Sequence, residues 1–365
     1  MEKIYTALGL MSGTSLDGID ASIIRSDGEK FINIEKNEYY TYNDKFQDQL
    51  REFIKACNNK EYIEKNDKIY SDLQNELTIK HAEISNKIIK NYGEKIDFVG
   101  FHGHTIIHKP DKGYSIQMGD GQLLSQTLKQ KVIYNFRKKD IENKGEGAPL
   151  ASIYHYNLSK KLNLREPVIF LNIGGISNVT YINKNEIQSQ DIGPGNVLMD
   201  EYIKKIKNQK FDKEGYYASI GKVDKKIINQ SIENEFFKKK HSFDKKDFNY
   251  SFIKSLNFED AMATLTYFTA KIISNFLNNN HQISKVIICG GGRKNKTLIN
   301  HIKDLTSKDI NDINDINDFG IDGDYVESQA FGYLAIRSFL KKKISFPQTT
   351  KVKQSITGGE LVKNY

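Results

Sequence analysis

Three hydroxyls, two carboxylates and two glycines fall within nine residues of Ser12-Gly13-Thr14-Ser15-Leu16-Asp17-Gly18-Ile19-Asp20. Short polar side chains and glycine-freed backbone N–H groups at such density suit a phosphate or metal–phosphate complex. A hairpin with a small-residue turn is the competing reading, and no Gly-Lys-Ser/Thr follows to make this a Walker loop. A second chemical candidate is Asp191, immediately before Ile192-Gly193-Pro194-Gly195-Asn196. A carboxylate there, ahead of a helix N-terminus, could orient Mg²⁺ or take a proton from a hydroxyl or water. The alternative is an aspartate of an Asx turn, and Asn196 reads equally well as a helix N-cap.

Two further glycine clusters follow strand-like runs. Gly174-Gly175 lies between Asn172 and Asn178, and Gly290-Gly291-Gly292 precedes Arg293-Lys294-Asn295. A lone triple glycine is equally a tight strand-to-helix turn. Four strand ends built from glycine with an acid, amide or hydroxyl point together to a nucleotide-sized ligand. His102, His104 and His108, at i, i+2 and i+6 across an expected strand end and turn, match no common zinc geometry and read as hydrogen-bonding or substrate-contacting groups. Arg137 and Glu327 could hold a sugar or carboxylate, or be surface ion-pair members.

The elements that must carry these residues are legible in the patterning. Apolar runs Ile4 to Met11 and Ile19 to Ile24 read as strands flanking the first loop, and Phe31 to Ile34 as a third. Leu73, Leu77, Ile84, Ile88 and Ile89 recur at helical spacing, which predicts two helices between Phe46 and Tyr92. Short strands follow at Phe98 to Phe101, Ser115 to Met118 and Val132 to Tyr134. Val168 to Ile173, a glycine turn and Ser177 to Ile182 repeat the opening architecture, so the chain reads as two similar halves. Ala261 to Leu277 is an amphipathic helix and Val286 to Cys289 a buried parallel-type strand. Asp309 to Asp318 reads as an extended surface connection, and the tail beyond Pro347 as loosely packed except near Thr357-Gly358-Gly359. The break between halves is expected at Gly145 to Pro149.

At 365 residues the chain exceeds the size at which a single core stops growing, about 250–300 residues, so two lobes are expected. Its net charge of +8 is spread along every segment, with Lys238 to Lys240 and Lys341 to Lys343 as the tight runs, which read as solvated helix ends. Nucleic acid is therefore not the expected partner. Cys57 and Cys289 are too few for a disulfide framework. No apolar run reaches the roughly 18 residues of a membrane span and no leader is evident, so a soluble, cytoplasmic protein is expected.

The segments GLMSGTSLDGIDA, GFHGHTIIHKP, IQMGDG, NFRKKDI, GEGAPLA, LNIGGISNVTYI, DIGPGNVLMD and CGGGRKNKTL resemble, in order and separation, those of anhydro-N-acetylmuramic acid kinases. That resemblance spans nearly the whole chain. It implies a two-lobed actin-like ATPase (ribonuclease H-like) α/β fold, with duplicated mixed sheets flanked by helices and a central cleft for nucleotide and sugar. Residues 1–140 with about 341–365 would form one lobe and 141–340 the other. It further implies ATP and Mg²⁺ as cofactors, a small sugar as partner substrate, and a homodimer without nucleic-acid or membrane partners. The reaction implied opens 1,6-anhydro-N-acetylmuramic acid with water and phosphorylates the freed 6-oxygen, as in cell-wall sugar recycling.

By position, Asp191 would be the catalytic base. Ser12, Gly13, Thr14, Ser15, Leu16, Asp17, Gly18, Ile19 and Asp20 would bind ATP phosphates, with Asp17 and Asp20 near the metal. Gly174, Gly193, Gly195 and Asn196 would face the phosphates, and Gly290, Gly291, Gly292 and Asn295 the adenosine. His102, Arg137 and Glu327 would contact sugar. The family usually has Gln at His104, Asp at Asn135 and Gln at Glu146, and a different segment at 241–248, which implies an altered sugar pocket. The alternatives are another sugar or small-acid kinase of the superfamily, an actin-like filament or chaperone ATPase, and a basic nucleic-acid-binding protein.

Overall fold

A computed structural model describes residues 3–232, 243, 247–279, 283–307 and 312–365. The chain divides into two compact units, Met1–Asn163 with Tyr325–Tyr365, and Leu164–Asp324. The first unit is built on β1 (Tyr5–Ser12), β2 (Gly18–Ser26), β3 (Ile32–Thr41), β4 (Phe98–Lys109), β5 (Tyr114–Met118) and β6 (Val132–Tyr134). The second carries β7 (Val168–Ile173), β8 (Ile176–Asn183), β9 (Glu186–Pro194), β10 (Lys285–Cys289) and β11 (Ile313–Asp315); β12 (Glu360–Val362) returns to the first.

Strand order repeats between the units. The first sheet runs β12-β6-β4-β1-β2-β3 with β5 on β4, and the second β11-β10-β7-β8-β9. In both, an antiparallel three-strand meander is followed by a parallel fourth strand beside the first. That is the ribonuclease H-like arrangement twice over, and the expected pair of mixed α/β sheets flanked by helices is present.

In the first unit, helix Val326–Phe339 lies on β1 and β4 because glycines let the backbones meet. A Cβ on Gly9 would stand 1.9 Å from the Ser328 carbonyl oxygen, and one on Gly100 2.4 Å from that of Phe331. Buried Leu8, Leu10, Ile19, Ile23 and Phe101 pack with Leu73, Leu77, Ile84 and Ile88 of helix Asp67–Tyr92. The second core gathers Ile169, Leu171, Val286 and Ile288 against Leu265, Phe268 and Ile272 of helix Phe258–Asn278.

Several expectations change. Phe46 to Tyr92 holds three helices rather than two, Asp44–Ala56, Lys60–Lys65 and Asp67–Tyr92. Asn43 and Asn59 cap the first two, accepting from Phe46 N and Tyr62 N. The third strand is longer than Phe31 to Ile34, because a half-buried edge strand tolerates the polar stretch to Thr41. The break between units falls at 163/164 instead of near 140, and the return at 324/325 instead of near 340. Helix Ser152–Lys161 is tied to the first unit by Tyr154 OH donating to Gln329 Oε1 (2.8 Å) and Lys161 Nζ to the Ile32 carbonyl (2.8 Å). Asp312 to Asp318 is no plain connection, since β11 pairs in parallel with β10. The tail supplies β12 on β6. Lys238 to Lys240 and most of 241–248 lie outside the described residues.

Candidate functional site

In the first unit, paired register sets the loop from Ser12 to Asp20. Met11 lies opposite Asp20, Asp20 opposite Tyr39, and Ser12 beside His104. Thr14 and Ser15 are exposed at the tip, whereas Ser12 is buried, with 1% of its surface accessible. The Ser12 hydroxyl is used internally: Tyr42 OH donates to Ser12 Oγ at 3.0 Å, and His104 Nδ1 is 3.2 Å away. Leu16, at φ +61°, is turned so that its N–H donates to the Gly13 carbonyl at 3.2 Å. Ser15 Oγ donates to Asp17 Oδ1. The Tyr39 ring lies against Gly18, where a Cβ would be 2.7 Å from it, and its hydroxyl bonds the Asp17 carboxylate. Burial first, then the negative charges of Asp17 and Asp20, push the Tyr39 phenol upward, so it stays a donor.

Asp17 is thus shared with Ser15 and Tyr39, and Asp20 is half-buried beside it. No cluster of three or more His, Cys, Asp or Glu able to cage a metal occurs among the described residues. One or two carboxylates are what Mg²⁺ needs when it arrives on phosphates, so this donor set fits a phosphate-borne ion and no protein cage.

The histidines lie inside β4, not beyond its end, because the strand continues through a bulge near Gly103 and pairs with β5. His102 is buried and packed against Phe331 with ring centroids 4.4 Å apart and the planes tilted by 35°. Arg137 Nε donates to His102 Nε2 at 3.1 Å, which leaves the proton on Nδ1 for the Gly103 carbonyl at 3.0 Å. Burial, reinforced by the Arg137 charge, holds His102 well below the usual histidine range and therefore neutral. Arg137 NH1 also donates to the Gly147 carbonyl at 2.7 Å. That loop is pinned by buried Asp140, which accepts from Gly147 N at 2.6 Å and from Thr350 Oγ1. His102 and Arg137 thus form one unit, and Glu327 sits half-buried in the first turn of helix Val326–Phe339, in this same part of the chain rather than the second.

In the second unit, register aligns a polar row across the sheet. Cys289 pairs with Asn172, Asn172 with Asn178, and Asn178 with Asp191. The register then slips, Ser177 pairing with Gly193, so Ile192 is the extra residue of a bulge that re-aims Asp191. Asp191 is half-buried and Oδ2 accepts the Phe243 N–H at 2.9 Å. Gly195 N–H donates to the Gly175 carbonyl (2.9 Å) and Asn196 N–H to that of Gly174 (2.8 Å), locking the two glycine turns together. Asn196 holds the N-cap position of helix Val197–Lys207 without a side-chain cap bond; its amide reaches the Ile173 carbonyl at 3.5 Å.

Gly290 has φ +81° and meets Asn172, since a Cβ there would be 2.4 Å from Asn172 Oδ1. A Cβ on Gly291 would meet nothing within 4 Å, and one on Gly292 would strike Ile173 at 2.2 Å. Asn295 caps helix Lys296–Leu305, accepting from Leu298 N at 2.9 Å, so its carbonyl oxygen serves the fold. Arg293 braces the glycine loop. Its NH1 donates to the Gly290 carbonyl at 3.2 Å and pairs with Asp324 at 2.5 Å, with Asp315 3.3 Å and Asp322 3.6 Å from the guanidinium. A surface depression of about 930 Å³ lined by Lys210, Phe211, Tyr216, Lys296 and Asn300 borders the helix that follows. Sequence reading missed Tyr39 and Tyr42, which only their placement across the sheet reveals, and it did not show the bracing of the glycine loop by Arg293.

Two ribonuclease H-like units, one with a hydroxyl-rich loop between its first strands and the other with an aspartate at a bulged strand end, define the class: a duplicated α/β protein with two mixed sheets flanked by helices. The family model for anhydro-N-acetylmuramic acid kinase matches residues 5–363. An anhydro-N-acetylmuramic acid kinase of Pelagibacter ubique (strain HTCC1062) is 47% identical over 376 residues, covering 100% of both chains. One from Zymomonas mobilis subsp. mobilis (strain ATCC 31821 / ZM4 / CP4) is 36% identical, covering 97% of this chain and 99% of its own. The chain belongs to the anhydro-N-acetylmuramic acid kinase family. Component A of the Acidaminococcus fermentans (R)-2-hydroxyglutaryl-CoA dehydratase superposes with a TM-score of 0.47 at 12% identity, covering 92% of this chain and 100% of that one.

Proposed function

We propose that this protein is an ATP-dependent kinase that opens 1,6-anhydro-N-acetylmuramic acid with water and phosphorylates the 6-oxygen, giving N-acetylmuramate 6-phosphate and ADP. The observation that supports it most is the placement of Asp191 at the bulge of β9, half-buried and in line with Asn178 and Asn172. In this reading Asp191 takes a proton from water as the water oxygen bonds the anomeric carbon. The bond from that carbon to the bridging 6-oxygen breaks, the 6-oxygen bonds the γ-phosphorus, and the β–γ bridging oxygen leaves with ADP.

The exposed tip at Thr14 and Ser15, with half-buried Gly13 beside it, offers N–H and hydroxyl donors to phosphate oxygens. Mg²⁺, carried by the nucleotide beside Asp17 and Asp20, would neutralise phosphate charge. Gly193 and Gly195 let the turn after Asp191 pack close against Ile272 and the Gly174 carbonyl, and Gly291, where a Cβ would meet nothing within 4 Å, leaves backbone open toward the adenosine end. His102, neutral and fixed by Arg137, presents a sugar-binding unit with Glu327 as a carboxylate acceptor for sugar hydroxyls. A homodimer working in the cytoplasm completes the proposal.

The test is purified protein with Mg-ATP, with and without the anhydro sugar, following ADP and sugar phosphate by mass in ¹⁸O water. Sugar-dependent ADP release with label at the anomeric carbon is expected. Turnover indifferent to sugar, or a product without label, rejects the proposal.

A further inference from the structure

Both ends of the loop from Ser12 to Asp17 are held by one buried residue, the start through its side chain and the end through its backbone. Tyr42, 2% accessible, follows β3 and packs edge-on against Phe46 at 5.0 Å. Its hydroxyl donates to Ser12 Oγ at 3.0 Å, where the loop begins. Its N–H donates to the Asp17 carbonyl at 3.0 Å, where the loop ends. Gln47, also buried, donates through Nε2 to the Tyr42 carbonyl at 3.1 Å and to the Asp17 carbonyl at 3.5 Å. Ser12 closes the arrangement onto β4 through His104. The Ser12 hydroxyl, buried and engaged by Tyr42 and His104, is turned into the protein, while Thr14 and Ser15 are exposed at the tip.

We infer that Tyr42 is a positioning residue for the nucleotide, setting the distance between Ser12 and Asp17 so that the backbone between them is preformed for phosphate, and that Ser12 acts through this brace. A preformed loop loses less freedom on binding, so the brace is read out as nucleotide affinity. Burial pushes the Tyr42 phenol strongly upward, which keeps it a donor across the working pH range. The inference rests on the kinase reading only in its turnover measurements.

The experiment compares wild type, Tyr42→Phe, Ser12→Ala and the double variant by equilibrium binding of Mg-ATP, by KM for ATP and for the anhydro sugar, and by melting temperature. Tyr42→Phe removes one oxygen and keeps the ring against Phe46. Expected is a five- to tenfold weaker Kd and higher KM for ATP, in line with about 1 kcal/mol for one hydrogen bond. The sugar KM should be unchanged and the melting temperature lower by no more than about 2–4 °C, the effect of one lost hydrogen bond in a unit of this size, which a general loss of structure would exceed. Ser12→Ala should match it, with little further loss in the double variant. Wild-type ATP affinity in Tyr42→Phe overturns the inference. So do additive effects dominated by Ser12→Ala, since Ser12 Oγ would then touch phosphate. Should Tyr42→Phe not fold, Gln47→Leu leaves the ring in place, loosens the Asp17 carbonyl and carries the same readout, wild-type affinity again being the overturning result. ATP binding that follows these expectations without sugar-dependent turnover would sink the kinase reading and leave the brace standing.

Discussion

Replacing Arg293 by Met keeps the stem and removes every donor from a side chain that is 3% exposed and faces Asp315, Asp322 and Asp324. Removing one partner of a fully buried pair costs about 3–5 kcal/mol. Here the three carboxylates keep 36%, 45% and 34% of their side-chain surface accessible, so water screens them once orphaned. Lys294 also remains on Asp324. The expected loss is therefore about 2–3 kcal/mol. At roughly 2–4 °C per kcal/mol for a unit of this size, the second unit's midpoint should fall by about 4–12 °C in scanning calorimetry at pH 7. Burial alone would raise the Asp324 carboxyl, but hydrogen bonds from Arg293 and Lys294 outweigh it and hold the pKa below the usual carboxylate range. A depressed acid stabilises above its unfolded pKa of about 3.9 and loses that contribution as pH falls through the folded value. The gap between wild type and variant should thus stay constant from pH 8 to 5 and close below about pH 4. A midpoint within 2 °C of wild type at pH 7 would refute the assigned bracing, and an undiminished gap at pH 3 would mean that the bond to the Gly290 carbonyl, not the pairing with carboxylates, matters.

Asp191→Asn should lower kcat by roughly 10²- to 10⁴-fold, the usual contribution of a general base, with ATP binding intact; full activity would remove Asp191 from the chemistry. Gly9→Ala should cost about 3 kcal/mol or prevent folding, because its methyl would meet the Ser328 carbonyl at 1.9 Å, while Gly332→Ala, with its nearest contact at 3.2 Å, should cost about 1 kcal/mol in chemical denaturation. Burial lowers His81 to about 4 and His108 and His155 to about 3, and His102 falls with them. These groups stay neutral when folded but charge when unfolded, so stability is full above about pH 6.5 and declines as pH falls toward the folded values. His155→Phe should flatten that acid limb by up to about 1.4 kcal/mol per pH unit, and an unchanged slope would show that His155 is not the group being titrated.

The α/β class, the strand beginning each half and the loops rich in glycine were legible in sequence, because buried strands ending in glycine are local patterns. Breaks between units were not: Pro149 and its glycines punctuate the chain strongly, yet helix Ser152–Lys161 is held to β3 by bonds that no local pattern announces. The length of β4 was hidden for a similar reason, since His102 to Lys109 reads as polar until β5 is there to pair with it.

Residue types at Ser12 to Asp20, Asp191 and Gly290 to Gly292 were determined by sequence alone, and they carry the expectation of phosphate chemistry. Which groups remain available was decided by tertiary structure. Strand register places Tyr42 and His104 on Ser12 and turns its hydroxyl inward, a bulge at Ile192 re-aims Asp191, and helix capping commits Asn295 to the backbone. The physical reason is that a polar group buried in a sheet must find its partners there, and those partners come from strands far away in the chain.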